Sequence, residues 1–187
     1  MSNPYEFMSH GLIVSKLWLC DELEKVIEKD YNKKVSVYNL GSWTNILAFL
    51  MVSRKAHLYE KITGYDIDEK AIDVADKVCD TWQFEEPKIL NVLGDANLVE
   101  FKNVDVVVNC SVEHMKENTW FDTIPNNTLV CLQSSNSNNT EWNIRSYNPS
   151  IEVFCNKYPL TNVLFQGTKT IKYSHWGYDR FMIIGYK

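Results

Sequence analysis

Val35-Ser36-Val37-Tyr38-Asn39-Leu40-Gly41-Ser42-Trp43-Thr44-Asn45 reads as a short β-branched strand, one glycine and the start of a helix. In open α/β sheets the turn after the first strand is where a nucleotide-like ligand is held. The rest of the chain can be placed relative to this turn. Such turns commonly carry two or three glycines, and this one carries Gly41 alone.

The elements on either side alternate. Before the turn, Leu19, Cys20, Leu23, Val26 and Ile27 recur at helical spacing from about Leu12 to Glu28. Asn32 is the expected left-handed stop. After the turn, residues 46–52 form a nearly all-apolar helix, expected to be buried and to be capped by Ser42 or Thr44. Further strands are expected at 61–68, 88–93, 105–109 and 128–133, with a helical stripe through Ala71, Ile72, Ala75, Val78 and Cys79. A short helix near 117–121 precedes a Pro125-Asn126-Asn127 turn. Residues 134–143 are rich in Ser and Asn and read as a loop.

The tail changes rhythm. Residues 163–173 and 181–186 look like two strands without a helix between them, turning near Trp176-Gly177. The reading is therefore an α/β, Rossmann-like, doubly wound, mostly parallel seven-stranded sheet with an antiparallel C-terminal strand pair. Residues 1–187 are expected to form a single domain, with 1–11 as an N-terminal arm or lid.

The totals narrow the function classes. The 187 residues suffice for a sizeable core, and a net charge of −5 argues against a broad nucleic-acid surface. The five cysteines, at 20, 79, 110, 131 and 155, have neither CxxC spacing nor an even count. Reduced thiols in a cytoplasmic protein are the simpler account, with no metal site expected. The sequence has no signal-peptide pattern and no apolar run long enough to span a membrane. The Asn-x-Thr runs at Asn126 and Asn138 therefore carry no weight as glycosylation sites.

Strand-helix repeats closed by a hairpin resemble the class I S-adenosylmethionine-dependent methyltransferase family, over residues 12 to 187. In that family the first strand ends in an acid, a Leu and a Gly-x-Gly-x-Gly-like turn. Here Asn39 stands at the acid, Gly41 fits, and Trp43 and Asn45 stand at glycine positions. The resemblance implies S-adenosyl-L-methionine as cofactor, with Asn39, Gly41, Ser42 and Trp43 around the turn. It further implies ribose contacts from Asp66, beside Ile67, and adenine contacts from Gly94-Asp95-Ala96. Replacing two of the glycines either reshapes that pocket or closes it.

Asn109-Cys110-Ser111-Val112-Glu113-His114-Met115 follows the fourth strand, beside the reactive end of such a ligand. His114 and Glu113 are the general-base candidates there. Asn109 is a candidate for orienting the substrate or the amino-acid part of the cofactor, and Cys110 lines the same edge. Arg180 reads as a solvated surface residue, with binding of a carboxylate or phosphate as the alternative. The 109–115 run and Tyr178-Asp179-Arg180-Phe181-Met182-Ile183-Ile184-Gly185 also resemble short methyltransferase-like proteins of tailed phages. The expected activity is methyl transfer to a small-molecule acceptor. The alternatives are non-methylating chemistry on the same cofactor, a degenerate binding or interaction module, or a nicotinamide-dependent oxidoreductase in which Asp66 also serves.

Overall fold

A computed structural model of the chain describes residues 8–82, 86–139 and 143–187. Five helices and seven strands follow in order: α1 His10–Asp30, β1 Val35–Leu40, α2 Ile46–Lys55, β2 Tyr59–Asp66, α3 Glu69–Trp82, β3 Lys88–Leu93, β4 Val106–Asn109, α4 Thr119–Asp122, β5 Leu129–Ser135, α5 Ile151–Lys157, β6 Asn162–Lys172 and β7 Gly177–Tyr186. The strands form one sheet in the order β3-β2-β1-β4-β5-β7-β6. β1 to β5 run parallel, and β7 pairs antiparallel with both β5 and β6. This is the Rossmann-like sheet, closed by a hairpin, that the alternation predicts.

Strand alternation explains why helices cover both faces. A strand sends successive side chains to opposite sides. Val35 and Val37, Val106 and Val108, Leu129 and Cys131, and Met182 and Ile184 share one core with α1 and α2. Their neighbours Val107, Val130, Leu132, Phe181 and Ile183 share the other core with Trp120 and Phe121 of α4, Phe154 of α5 and Tyr158, its C-cap. Strands buried on both faces read as continuous apolar runs, as these do.

On the first face, α1 and α2 are also tied by charge. Glu24 is almost fully buried and accepts from Arg54 Nε and Nη2, each at 3.1 Å. Breaking such a pair from one side strands a buried carboxylate, which is why this glutamate is tolerated in the core.

Several local expectations change. α1 ends without a left-handed residue: its C-cap is Tyr31, in an extended conformation, and Asn32 is not among the residues with positive φ. The Tyr31 hydroxyl donates to the Asp105 carbonyl at 3.2 Å, which draws the chain straight out towards β1. His10 and Gly11, assigned to the N-terminal arm, already lie in α1, and residues 1–7 fall outside the described residues. β5 extends through Ser134 and Ser135, both buried, so the Ser/Asn loop starts later; its residues 140–142 lie outside the described residues. α5 has no counterpart in the sequence reading. It is capped by Ser150 Oγ, which accepts from the Val153 amide at 3.4 Å, and it buries chiefly Phe154.

Trp120 anchors the second core. It is fully buried, with ring centroids 5.8 Å from Phe121 and 5.7 Å from Tyr158. Trp120→Ala should lower unfolding stability by about 3–5 kcal/mol, read from urea denaturation midpoints. A loss below about 1 kcal/mol would show that the site collapses around the missing ring.

Candidate functional site

β1 has β2 on one side and β4 on the other, so the chain crosses over in both directions from it. The crevice at the carboxyl ends of these strands is the ligand position of an open α/β sheet. Here it is built from residues 41–45, 66–67, 94–98 and 109–115.

The turn after β1 takes three left-handed residues at alternate positions: Gly41 at φ +61°, Trp43 at +50° and Asn45 at +49°. These are the positions at which the family pattern has glycine. The backbone therefore keeps the glycine conformation with side chains at two of the three places. A left-handed conformation costs a non-glycine residue about 1–2 kcal/mol, least for Asn.

Compensation is visible at both. Asn45 accepts from Asn39 Nδ2 at 2.9 Å and donates from Nδ2 to Asn91 Oδ1 at 2.8 Å. Asn91 in turn donates to Asp76 at 2.8 Å. The absent side chain of Gly64 makes room for this chain of amides: a Cβ there would stand 2.5 Å from Asn45 Nδ2. At Trp43, the backbone amide donates to Asp66 Oδ2 at 2.6 Å. Ser42 binds the turn to β2 by donating its amide to the Tyr65 carbonyl at 3.0 Å. Neither Ser42 nor Thr44 caps α2, correcting that expectation. Asn45 is the N-cap, without a side-chain cap bond, and the Ser42 and Thr44 hydroxyls are buried without a partner among the described residues.

Asp66 is half-buried at the end of β2. Its second oxygen accepts from the Asp68 amide at 3.0 Å. Burial raises its pKa, and the amide bonds from Asp68, Trp43 and Ile67 pull it back. A carboxylate has about four acceptor positions, so capacity remains beyond these amides. Ile67 beside it is 74% exposed. Asp68 caps α3, accepting from the Lys70 amide at 3.0 Å. Gly94 donates its amide to the Asp66 carbonyl at 2.8 Å. Asp95 caps the 3-10 turn 96–98, accepting from the Asn97 amide at 2.9 Å. Ala96 is buried and Leu98 exposed.

After β4, Asn109 is fully buried. Its Oδ1 accepts from the Ser111 amide at 2.8 Å, and its Nδ2 has no partner among the described residues. Ser111 Oγ donates to the Gly41 carbonyl at 2.9 Å, and the Met115 methyl lies 2.8 Å from where a Gly41 Cβ would stand. His114 is exposed. Glu113 is buried, and its Oε1 receives Arg180 Nη1 and Ser135 Oγ. A carboxylate held this way is a structural counter-charge, so His114 is the freer of the two base candidates. The Cys110 thiol is buried, and burial raises its pKa, against nucleophilic use.

Arg180 corrects the sequence reading outright. It is buried, not solvated, and donates to Glu113, to the Cys110 carbonyl and, from Nε, to Ser15 Oγ at 3.1 Å. Two signals mark what was missed. Arg180 keeps the alternation of Met182 and Ile184, the inward positions of β7. Lys16 stands in line with Cys20, Leu23 and Ile27 on the apolar stripe of α1, and it is buried with them.

No family model and no curated protein matches the sequence. Solved structures do. MccD aligns at 13% identity and TM-score 0.69 over 91% of this chain and 96% of its own. The N-methyltransferase NodS of Bradyrhizobium japonicum WM9 aligns at 11% and 0.66 over 92% and 97%. The magnesium protoporphyrin IX methyltransferase ChlM of Synechocystis PCC 6803, crystallised with S-adenosylhomocysteine, aligns at 12% and 0.66 over 92% and 84%. The chain has the class I methyltransferase fold. Within that fold the glycine turn is reproduced here in backbone and altered in side chains.

Gly64→Ala should force Asn45 out of its place and cost about 1–3 kcal/mol in denaturant unfolding. Part of that loss should be recovered in an Asn45→Gly background. Equal losses in both backgrounds would separate Gly64 from the turn.

Proposed function

We propose that this chain binds S-adenosyl-L-methionine at the carboxyl edge of β1, β2 and β4 and transfers its methyl group to a small-molecule acceptor. The observation that carries the reading is the left-handed trio Gly41, Trp43 and Asn45, locked to the Asp66 carboxylate. That conformation brings backbone, not side chain, towards a ligand. The residues present fit the nucleoside half of the cofactor. Asp66 keeps acceptor capacity for a ribose hydroxyl beyond its backbone amide bonds. Ile67 offers exposed apolar surface to the adenine, and Asp95 a carboxylate to its amino group, beside Ala96. The buried, unpartnered Nδ2 of Asn109 is a donor for the carboxylate of the amino-acid half.

The cofactor supplies an electrophilic sulfonium methyl. The protein's task is to align an acceptor with it, remove water and, where the acceptor carries a proton, take that proton. His114 is the base in this reading, and Glu113 orders the loop beside it. The three buried free cysteines, 20, 110 and 131, support a reducing, cytoplasmic setting. Among the described residues no helix is long and apolar enough to cross a membrane. The 109–115 and 178–185 runs support a place in the short phage methyltransferase-like group.

One observation favours a second reading. Ser111 and Met115 lie against Gly41, where the amino-acid half of the cofactor would pass. A chain in which that contact persists is a binding module on a methyltransferase fold.

Calorimetric titration separates the two. Roughly micromolar binding of S-adenosylmethionine and S-adenosylhomocysteine, with none of NAD, is expected. Absence of both sulfur ligands favours the module. Asp66→Asn should weaken S-adenosylhomocysteine about tenfold or more. The ionised carboxylate is the better acceptor, and burial raises its pKa. Affinity should therefore fall as pH drops, beginning at a higher pH than for an ordinary aspartate. Transfer of labelled methyl to a metabolite extract, lost in His114→Ala, tests the chemistry itself.

A further inference from the structure

Asn97 joins the loop after β3 to the start of α4. Its Oδ1 accepts from Thr119 Oγ1 at 2.6 Å and from the Trp120 amide at 3.1 Å. Its backbone amide and its Nδ2 both donate to Asp95 Oδ1, at 2.9 and 3.0 Å. A backbone amide can only donate, so the Trp120 bond settles which end of the Asn97 side chain is oxygen. The other end, Nδ2, is thereby turned to Asp95.

The consequence falls on the carboxylate. Both bonds from Asn97 land on the same oxygen, so neither occupies Oδ2 of this exposed side chain. A carboxylate on an exposed loop otherwise turns among its rotamers. This one is gripped from the body of the fold, because Trp120 is fully buried in the second core. The surrounding backbone is held as well. The Leu98 amide donates to the Asp95 carbonyl at 3.0 Å, and the Gly94 amide to the Asp66 carbonyl at 2.8 Å. Asp95 therefore stands beside the acid that ends β2.

We propose that Asn97 is a positioning residue that sets selectivity for the exocyclic amino group of adenine, by holding Asp95 with Oδ2 towards that group. The inference rests on the S-adenosylmethionine reading, with Asp95 at the adenine. An amino group donates to a carboxylate oxygen. A ring carbonyl at the same place, as in hypoxanthine, meets that oxygen with a lone pair. A fixed carboxylate separates the two bases most strongly: it needs no ordering for the right one and cannot turn away from the wrong one. Asn97 acts through Asp95, not on the ligand itself.

S-adenosylhomocysteine and its deaminated counterpart S-inosylhomocysteine are the probes, titrated calorimetrically into the whole chain, with thermal unfolding measured beside them. Wild type should prefer the adenine compound about tenfold or more, as a hydrogen bond to a charged group allows. Asn97→Asp keeps an acceptor for Thr119 and Trp120 but loses the Nδ2 donor. Asn97→Ala loses both, and should also lower the melting temperature. In each variant the preference should fall to about threefold or less, chiefly through weaker S-adenosylhomocysteine binding. A wild-type preference kept in Asn97→Asp, or equal weakening of both ligands in either variant, makes Asn97 a clasp on α4 alone and overturns the proposal. So does equal binding of the two ligands by wild type, which leaves the cofactor reading standing. Failure of wild type to bind either ligand removes the cofactor reading and the proposal together.

Discussion

The backbone between β1 and α2 has to turn left-handed three times in five residues, and the candidate site is arranged around that requirement. Glycine would meet it without help. Here Trp43 and Asn45 meet it with neighbours that hold them in place. Asp66 accepts the Trp43 amide, so the acid at the end of β2 and the shape of the turn are one interaction. Asn39, where the resembled family has an acid, serves the turn from below by donating to Asn45. Beside the two non-glycine positions a chain of side-chain hydrogen bonds runs from buried Asn39 on β1 through Asn45 to Asn91 on β3 and the exposed Asp76 on α3.

A second constraint joins the far side of the crevice to the terminal hairpin. Arg180 enters from β7 and is satisfied by the loop after β4 and by α1. Gln133 of β5 completes the link, accepting from Ser15 Oγ at 2.9 Å and donating to the Ser15 carbonyl at 3.0 Å. The antiparallel strand that closes the sheet thereby also fixes the loop at the carboxyl end of β4. Removing one partner from such a buried network strands the others, which makes these polar groups a determinant of loop position.

Most strands were legible because each is a short apolar or β-branched run ended by a turn residue. β1 and β3 fall where the sequence places them, and β4 and β5 differ by a residue or two at their ends. α5 was not legible: seven residues with one deeply buried side chain make too short a pattern to stand above its loop. The stop at Asn32 and the caps at Ser42 and Thr44 failed for a shared reason. A cap is set by where the chain must go next, and here that is decided by Asp105 and by the left-handed turn.

Alternation and apolar runs by themselves determined a parallel doubly wound sheet with a closing hairpin, since a strand's period and a helix's period are local properties of the chain. They also placed Asp66, Gly94 and Asn109 at strand ends, where ligands meet such sheets. Tertiary structure alone decided that Trp43 and Asn45 keep a glycine conformation, that Glu113 is bound to Arg180, and that Lys16 of α1 is buried. Those outcomes depend on contacts between residues far apart in the chain, and burial and electrostatic pairing have no local signature in sequence.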